Sequence, residues 1–181
     1  MRLLTAELTK KNFLKLSYRQ VEIGINGLDD AATVGNKKTY DKEAHRDLIY
    51  AFNRLCPHLL FQTELIDKSV AIPADIEDKK YFDDFLFDDD ERFEGVTVTK
   101  VQTFGKNEIE GIKIFGEKTN SNGDVCPLRT GVIYFNQNDG TEYALRTIVQ
   151  SQYETLEFEC EEYDKGKNSN TITNQLQMFD K

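Results

Sequence analysis

Several residue types that carry common chemistry are scarce or missing in this chain of 181 residues. Tryptophan is absent, and there are two histidines and three cysteines, Cys56, Cys126 and Cys160. The cysteines are odd in number and lack metal-binding spacing, which favours reduced thiols in a reducing compartment. The sequence therefore predicts neither a metal site nor a cofactor.

Long apolar runs and phosphate-binding loops are also missing. No window approaches the roughly 20 apolar residues of a membrane-spanning helix. Charge appears too early, at Arg2 and Glu7, for a secretory signal. These absences predict a soluble cytoplasmic protein that does not bind membranes. No Gly-x-Gly-x-x-Gly or Walker-type loop is present either, so no phosphate cradle is expected.

The two histidines, His45 and His58, are poor candidates for catalysis. Thirteen residues separate them, which on a helix is about three and a half turns. They are not expected to share a site, and each is predicted at the surface or its boundary. Cys56-Pro57-His58 is contiguous, but adjacency gives no nucleophile–base geometry, so a buried thiol at a helix end is predicted. The sequence thus favours a binding protein over an enzyme.

The net charge of -9 is concentrated in one segment. Residues 75–94 contain ten acidic and three basic side chains, a charge of -7, which leaves -2 for the rest. Overall charge argues against nonspecific nucleic-acid binding, but the nearly neutral remainder can still carry a basic face. The run Asp88-Asp89-Asp90-Glu91 lacks the spaced ligands of a calcium loop and is predicted to be solvated.

Apolar periodicity predicts an α+β fold. Strands are predicted at 3–8 and 13–23, with Leu14, Leu16 and Tyr18 on one buried face, followed by a loop at 24–36. A helix is predicted from Asp41 to near Leu55, ended by Pro57. Three more strands and a closing helix complete a ββα-loop-βββα order. The strands are predicted at 96–101, 109–118 and 132–135, and the helix from Asp139 to just before Gly166.

This order predicts an antiparallel sheet of about five strands with two helices packed on one face. Residues 1–166 are interpreted as a single domain with an irregular acidic loop at 67–94. Residues 167–181 are interpreted as a flexible tail that ends in a binding peptide.

Two blocks of the sequence resemble an uncharacterised family of small bacteriophage and prophage proteins. One runs from His45-Arg46-Asp47-Leu48 to Cys56-Pro57-His58-Leu59. The other contains Ser121-Asn122-Gly123 and the closing helix that ends at Gly166-Lys167. The resemblance implies an origin in a phage genome and supplies no activity.

The last residues carry a separate resemblance. The peptide Gln175-Leu176-Gln177-Met178-Phe179 is similar to the Gln-Leu-x-Leu-Phe peptide with which bacterial replication proteins dock onto the sliding clamp. By that likeness Gln175 enters a polar pocket, while Leu176, Met178 and Phe179 fill an apolar groove. The leading hypothesis is therefore a phage accessory protein that docks on a replication partner such as the host clamp. The alternative placement of these apolar residues is against the protein's own core.

Two other functions stay open. Single-stranded DNA binding in phage replication or recombination is the first, because aromatic and basic residues share the predicted strands. The candidate residues are Lys15, Tyr18, Arg19, Lys100, Lys113 and Phe115, with Phe104 nearby. In the second, the acidic segment with Phe82, Phe85 and Phe87 mimics nucleic acid and inhibits a host enzyme.

Overall fold

The computed structural model of the chain describes residues 2–22, 32–66, 93–105, 109–135 and 143–169. The predicted terminal peptide, residues 67–92 of the predicted acidic loop and the predicted helix start at Asp139 lie outside the described residues.

Seven strands and three helices make up the described part of the chain. The strands are β1 (Arg2–Leu8), β2 (Phe13–Glu22), β3 (Ala32–Glu43), β4 (Val96–Phe104), β5 (Gly111–Thr119), β6 (Val125–Arg129) and β7 (Ile133–Tyr134). The helices are α1 (Arg46–Asn53), α2 (Cys56–Gln62) and α3 (Tyr143–Asp164). The predicted α+β class is confirmed.

All seven strands form one antiparallel sheet. Its order is β3-β2-β1-β4-β5-β6, and β7 pairs with β5. The β1–β2 turn contains Asn12 at a φ of 56°, and the β5–β6 turn contains Gly123 at 85°. Asparagine and glycine tolerate positive φ better than other residues.

The predicted count of about five strands is wrong, because β3 and β6 were not expected. β3 begins at Ala32, inside the segment predicted as a loop, and its Gly35-Asn36-Lys37 run has no apolar alternation. β3 is a strand because its backbone pairs with β2, and not because of its own side-chain pattern. β6 contains Pro127, which is compatible with its place at the edge of the sheet.

The first predicted helix is two short helices. Asp41 belongs to β3, and α1 begins after His45, whose Nδ1 accepts a hydrogen bond from the amide of Asp47 at 3.2 Å. Pro57 interrupts the helix as predicted. It then lies in the first turn of α2, where a missing amide proton removes no helical hydrogen bond. Four apolar residues at intervals of three and four along this segment, Leu48, Phe52, Leu55 and Leu59, are all fully buried.

The helices pack on one face of the sheet, called the inner face below. Leu59 of α2 closes over Gly116 of β5 so tightly that a Cβ there would lie 2.5 Å from its Cδ2 atom. At the far edge, Asp164 of α3 accepts hydrogen bonds from Lys38 and Tyr40 of β3. The core lies between the two layers and contains Leu3, Leu14, Val101, Ile112, Ile114, Phe52 and Leu156.

The C-terminal end of α3 is fixed to β3. Gly166 has a φ of 115°, as expected for a residue that ends a helix. Asn168 then forms a β-bridge with Ala44, and the amide of Ser169 donates to the carbonyl of Glu43 at 3.0 Å. Any free tail can therefore begin only after Ser169. None of the helices in the described part of the chain is both long and apolar enough to cross a membrane.

Candidate functional site

The side chains of the sheet that point away from the helices form the candidate site. Lys15 lies between the buried Leu14 and Leu16, and Lys113 lies between the buried Ile112 and Ile114. Because side chains alternate between the faces of a strand, both lysines point to the outer face. Strand pairing then decides which outward residues become neighbours.

Two cross-strand rows, called the outer rows, cross this face. The first consists of Thr39, Lys15, Glu7, Lys100, Phe115 and Arg129, each paired with the next across β3, β2, β1, β4, β5 and β6. The second consists of Lys37, Ser17, Thr5, Gln102 and Lys113. With strands about 4.8 Å apart, the first row is about 24 Å long.

The outer rows are basic although the chain as a whole is acidic. Their charged members are five cations and one anion, Glu7, a formal charge of +4 against -9 for the protein. Glu7 is itself compensated, because Lys15 Nζ lies 3.0 Å from its carboxylate. Arg19, two residues beyond Ser17 on β2, adds another exposed cation on the same face. The outer rows are therefore a locally positive surface on an acidic chain.

Two lysine–phenylalanine pairs lie within or beside the outer rows on adjacent strands. Lys100 Nζ of β4 is 5.4 Å from the ring centre of Phe115 on β5. In the second pair the lysine is on β5 and the phenylalanine on β4, and Lys113 Nζ is 5.8 Å from the ring centre of Phe104. Both distances allow a cation–π attraction. Each pair therefore presents an aromatic surface and a positive charge side by side.

Five of the six residues predicted to bind nucleic acid lie on this face. These are Lys15, Arg19, Lys100, Lys113 and Phe115. Tyr18 points to the inner face, where it is 4% exposed, because it has the same alternation as Leu14 and Leu16. It is left out of the candidate site.

Sequence reasoning missed Lys37 and Arg129. Both belong to edge strands that have no apolar alternation. The only signal was the Asn-Gly turn before β6, which indicates that another strand follows.

An open cleft of about 730 Å³ lies at one end of the outer face. Strands β1 and β4 pair only from Thr5 to Glu7, and β4 has an irregularity between Val98 and Lys100. The two strands part beyond that point, and the cleft lies between them. Its walls include Lys100 and Phe115 from the first outer row, and α1 lines the other side with Ile49 and Asn53.

The histidines and cysteines are not in this region. His58 is 2% exposed and His45 is 6% exposed, so their predicted surface or boundary positions are wrong. His58 lies in α2, which packs on the core, and His45 caps α1. Burial raises the pKa of the Cys56 thiol to about 12, so this thiol stays protonated at neutral pH and is a poor nucleophile.

Together the fold and the outer rows define the structural class of this protein. This is an α+β protein in which helices cover one face of an antiparallel sheet and the other face carries cations and aromatic rings. No protein-family model, curated protein or solved structure matches the chain. The resemblance to phage proteins and the sliding-clamp motif therefore stay predictions.

Proposed function

We propose that the protein binds single-stranded nucleic acid across the outer rows. The observation that carries this proposal is the pair of lysine–phenylalanine contacts, Lys100 with Phe115 and Lys113 with Phe104, on one basic sheet face. Proteins that bind single strands combine cations for the backbone with aromatic rings on which bases stack. A duplex keeps its bases stacked inside, so aromatic rings on a sheet favour a single strand.

The spacing of the rings suits two bases of one extended strand that are separated by one nucleotide. Phe104 pairs with Gly111 and Phe115 lies four residues further along β5, which places the two rings about 14 Å apart. Bases can reach both rings while their phosphates lie near Lys100, Lys113 and the cations of β2 and β3. The acidic surplus of the chain is concentrated at 75–94, the segment that precedes β4 in sequence.

The test uses the full chain and a labelled oligothymidylate of about twelve nucleotides. Phe115→Ala is expected to weaken binding, measured by fluorescence anisotropy at low salt, by about 1–3 kcal/mol, because one stacking platform is lost. Phe104→Ala should have a similar effect. Phe158→Ala is the matched control, since Phe158 is 56% exposed but lies on α3. Equal affinity of all three variants, or no binding by the wild type at low salt, contradicts the proposal.

A second candidate rests on the terminal peptide alone. Gln175, Leu176 and Phe179 match three of the four fixed positions of the clamp-docking pattern, and Met178 stands where leucine is usual. Methionine keeps approximately the same volume, so an apolar groove can accept it. This candidate and the first are compatible, because a strand-binding body and a docking peptide serve different partners.

The docking hypothesis is tested with purified bacterial sliding clamp. The double variant Leu176→Ala and Phe179→Ala should abolish clamp binding in a calorimetric titration, because apolar anchors carry most of such binding energy, while thermal unfolding stays unchanged. A large drop in melting temperature would instead indicate that these side chains pack on the protein's own core.

A further inference from the structure

The cleft between β1 and β4 combines the groups that one nucleotide requires. Phe115 supplies an aromatic wall, Lys15 and Lys100 supply cations, and Asn12 and Asn53 supply amide groups that can both donate and accept hydrogen bonds. Its volume, about 730 Å³, is within the range of small-molecule sites. It opens directly onto the first outer row, because Lys15, Lys100 and Phe115 belong to both.

The charges of the cleft select the kind of nucleotide. Three lysines, including Lys10, and two glutamates, Glu7 and Glu117, line it, which gives a formal charge of +1. That charge matches one phosphodiester group. A nucleoside triphosphate, with several negative charges, would bring its phosphates close to both glutamates at a Coulombic cost.

We propose that the cleft holds one nucleotide unit of the bound single strand. Its base lies against Phe115, the amide of Asn53 contacts the base edge, and its phosphodiester lies near Lys15 and Lys100. The inference rests on the proposed single-strand binding. It adds one nucleotide whose position on the protein is fixed. The remaining nucleotides lie on the outer face of the sheet, while this one lies in the cleft between β1 and β4.

The experiment uses the full-length protein and two small probes, the thymidine dinucleotide TpT and dTTP. In amide-resolved NMR titrations, TpT should shift the resonances of Asn53, Thr97 and Thr99, and it should bind more tightly than dTTP. Asn53→Ala should weaken TpT binding about fivefold, the effect of one lost hydrogen bond. Gln62→Ala, which removes an exposed amide from α2, is the control.

The outcomes separate the two proposals. If the oligothymidylate binds but TpT leaves the three resonances unshifted, or Asn53→Ala binds TpT as the wild type does, the cleft proposal fails and single-strand binding stands. Tighter binding of dTTP also overturns the cleft proposal, since it indicates a free-nucleotide pocket. If the wild type does not retain the oligothymidylate at low salt, the single-strand-binding proposal fails, and the cleft proposal, which rests on it, fails as well. The NMR titration of the wild type decides the matter even if Asn53→Ala does not fold.

Discussion

At the scale of single residues, a buried histidine ties the stability of this protein to pH. His58 of α2 is 2% exposed, and burial lowers its pKa to about 4, an effect that the nearby Gln152 amide opposes in part. An unfolded chain restores the ordinary value of about 6.5. Between these two values the unfolded state binds a proton that the folded state does not bind.

The sign of the pH dependence follows from this difference. The contribution of neutral His58 is complete above about pH 6.5 and is lost as pH falls toward 4. The loss should reach about 3 kcal/mol near pH 4. Between pH 7 and pH 5 the loss should be about 2 kcal/mol, which urea unfolding at these two pH values measures. In His58→Gln the stability difference between the two pH values should shrink markedly, and an unchanged difference would rule out His58 as its source.

At the scale of elements, one lysine joins α1, α3 and the segment after α3. Lys167 Nζ lies 2.6 Å from Asp47 Oδ2 in α1 and 2.8 Å from Glu159 Oε2 in α3. The Lys167 side chain is 18% exposed and that of Glu159 is 11% exposed, so water compensates little if the contact is lost. This ion-pair cluster ties α1 to the C-terminal part of α3 and the residues that follow it.

Lys167→Met should therefore be costly. It leaves Glu159 nearly buried without its cation, and we expect a loss of about 2–3 kcal/mol in the free energy of unfolding, measured by chemical denaturation. Lys165→Met is the matched control, because Lys165 pairs with Glu162 at the surface with 65% of its side chain exposed. Such exposed pairs contribute little. Equal effects of the two variants would show that Lys167 acts no differently from a surface lysine.

The elements also show how far sequence patterns reach. β1, β2 and α3 were predicted because their own apolar periodicity specifies them. The first residues of β3 were predicted as a loop and its last as the start of a helix, and β6 was not predicted. An edge strand requires only a partner with free backbone groups, and its side chains can be polar. For the same reason, Lys37 of β3 and Arg129 of β6 were not predicted as residues of the candidate site.

At the scale of the whole molecule, charge is separated along the chain. The outer rows have a formal charge of +4, while residues 75–94 carry -7. Attraction of a polyanion to the outer rows depends on counterion release and is therefore sensitive to salt. From the net charge of -9 alone, no attraction between the protein and a polyanion would be predicted.

Salt titration of oligothymidylate binding tests this separation. Lys113→Gln should reduce the slope of log affinity against log salt by about 0.7, the value for one phosphate contact on a single strand. Glu7→Gln should raise affinity, since it removes the one anion of the outer rows. Lys165→Gln, at the exposed end of α3, should change neither quantity. A shift in slope as large for Lys165→Gln as for Lys113→Gln would mean that the outer rows are not the binding surface.

The sequence by itself determined the α+β class, the first hairpin, the closing helix and most of the basic residues of the candidate site. These follow from local periodicity and turn chemistry, which are properties of neighbouring residues. Only the tertiary structure decided that β3 and β6 extend the sheet, and that Lys15, Lys100, Phe115 and Arg129 share one row. The reason is that strand register and edge pairing depend on backbone partners distant in sequence, which no local pattern specifies.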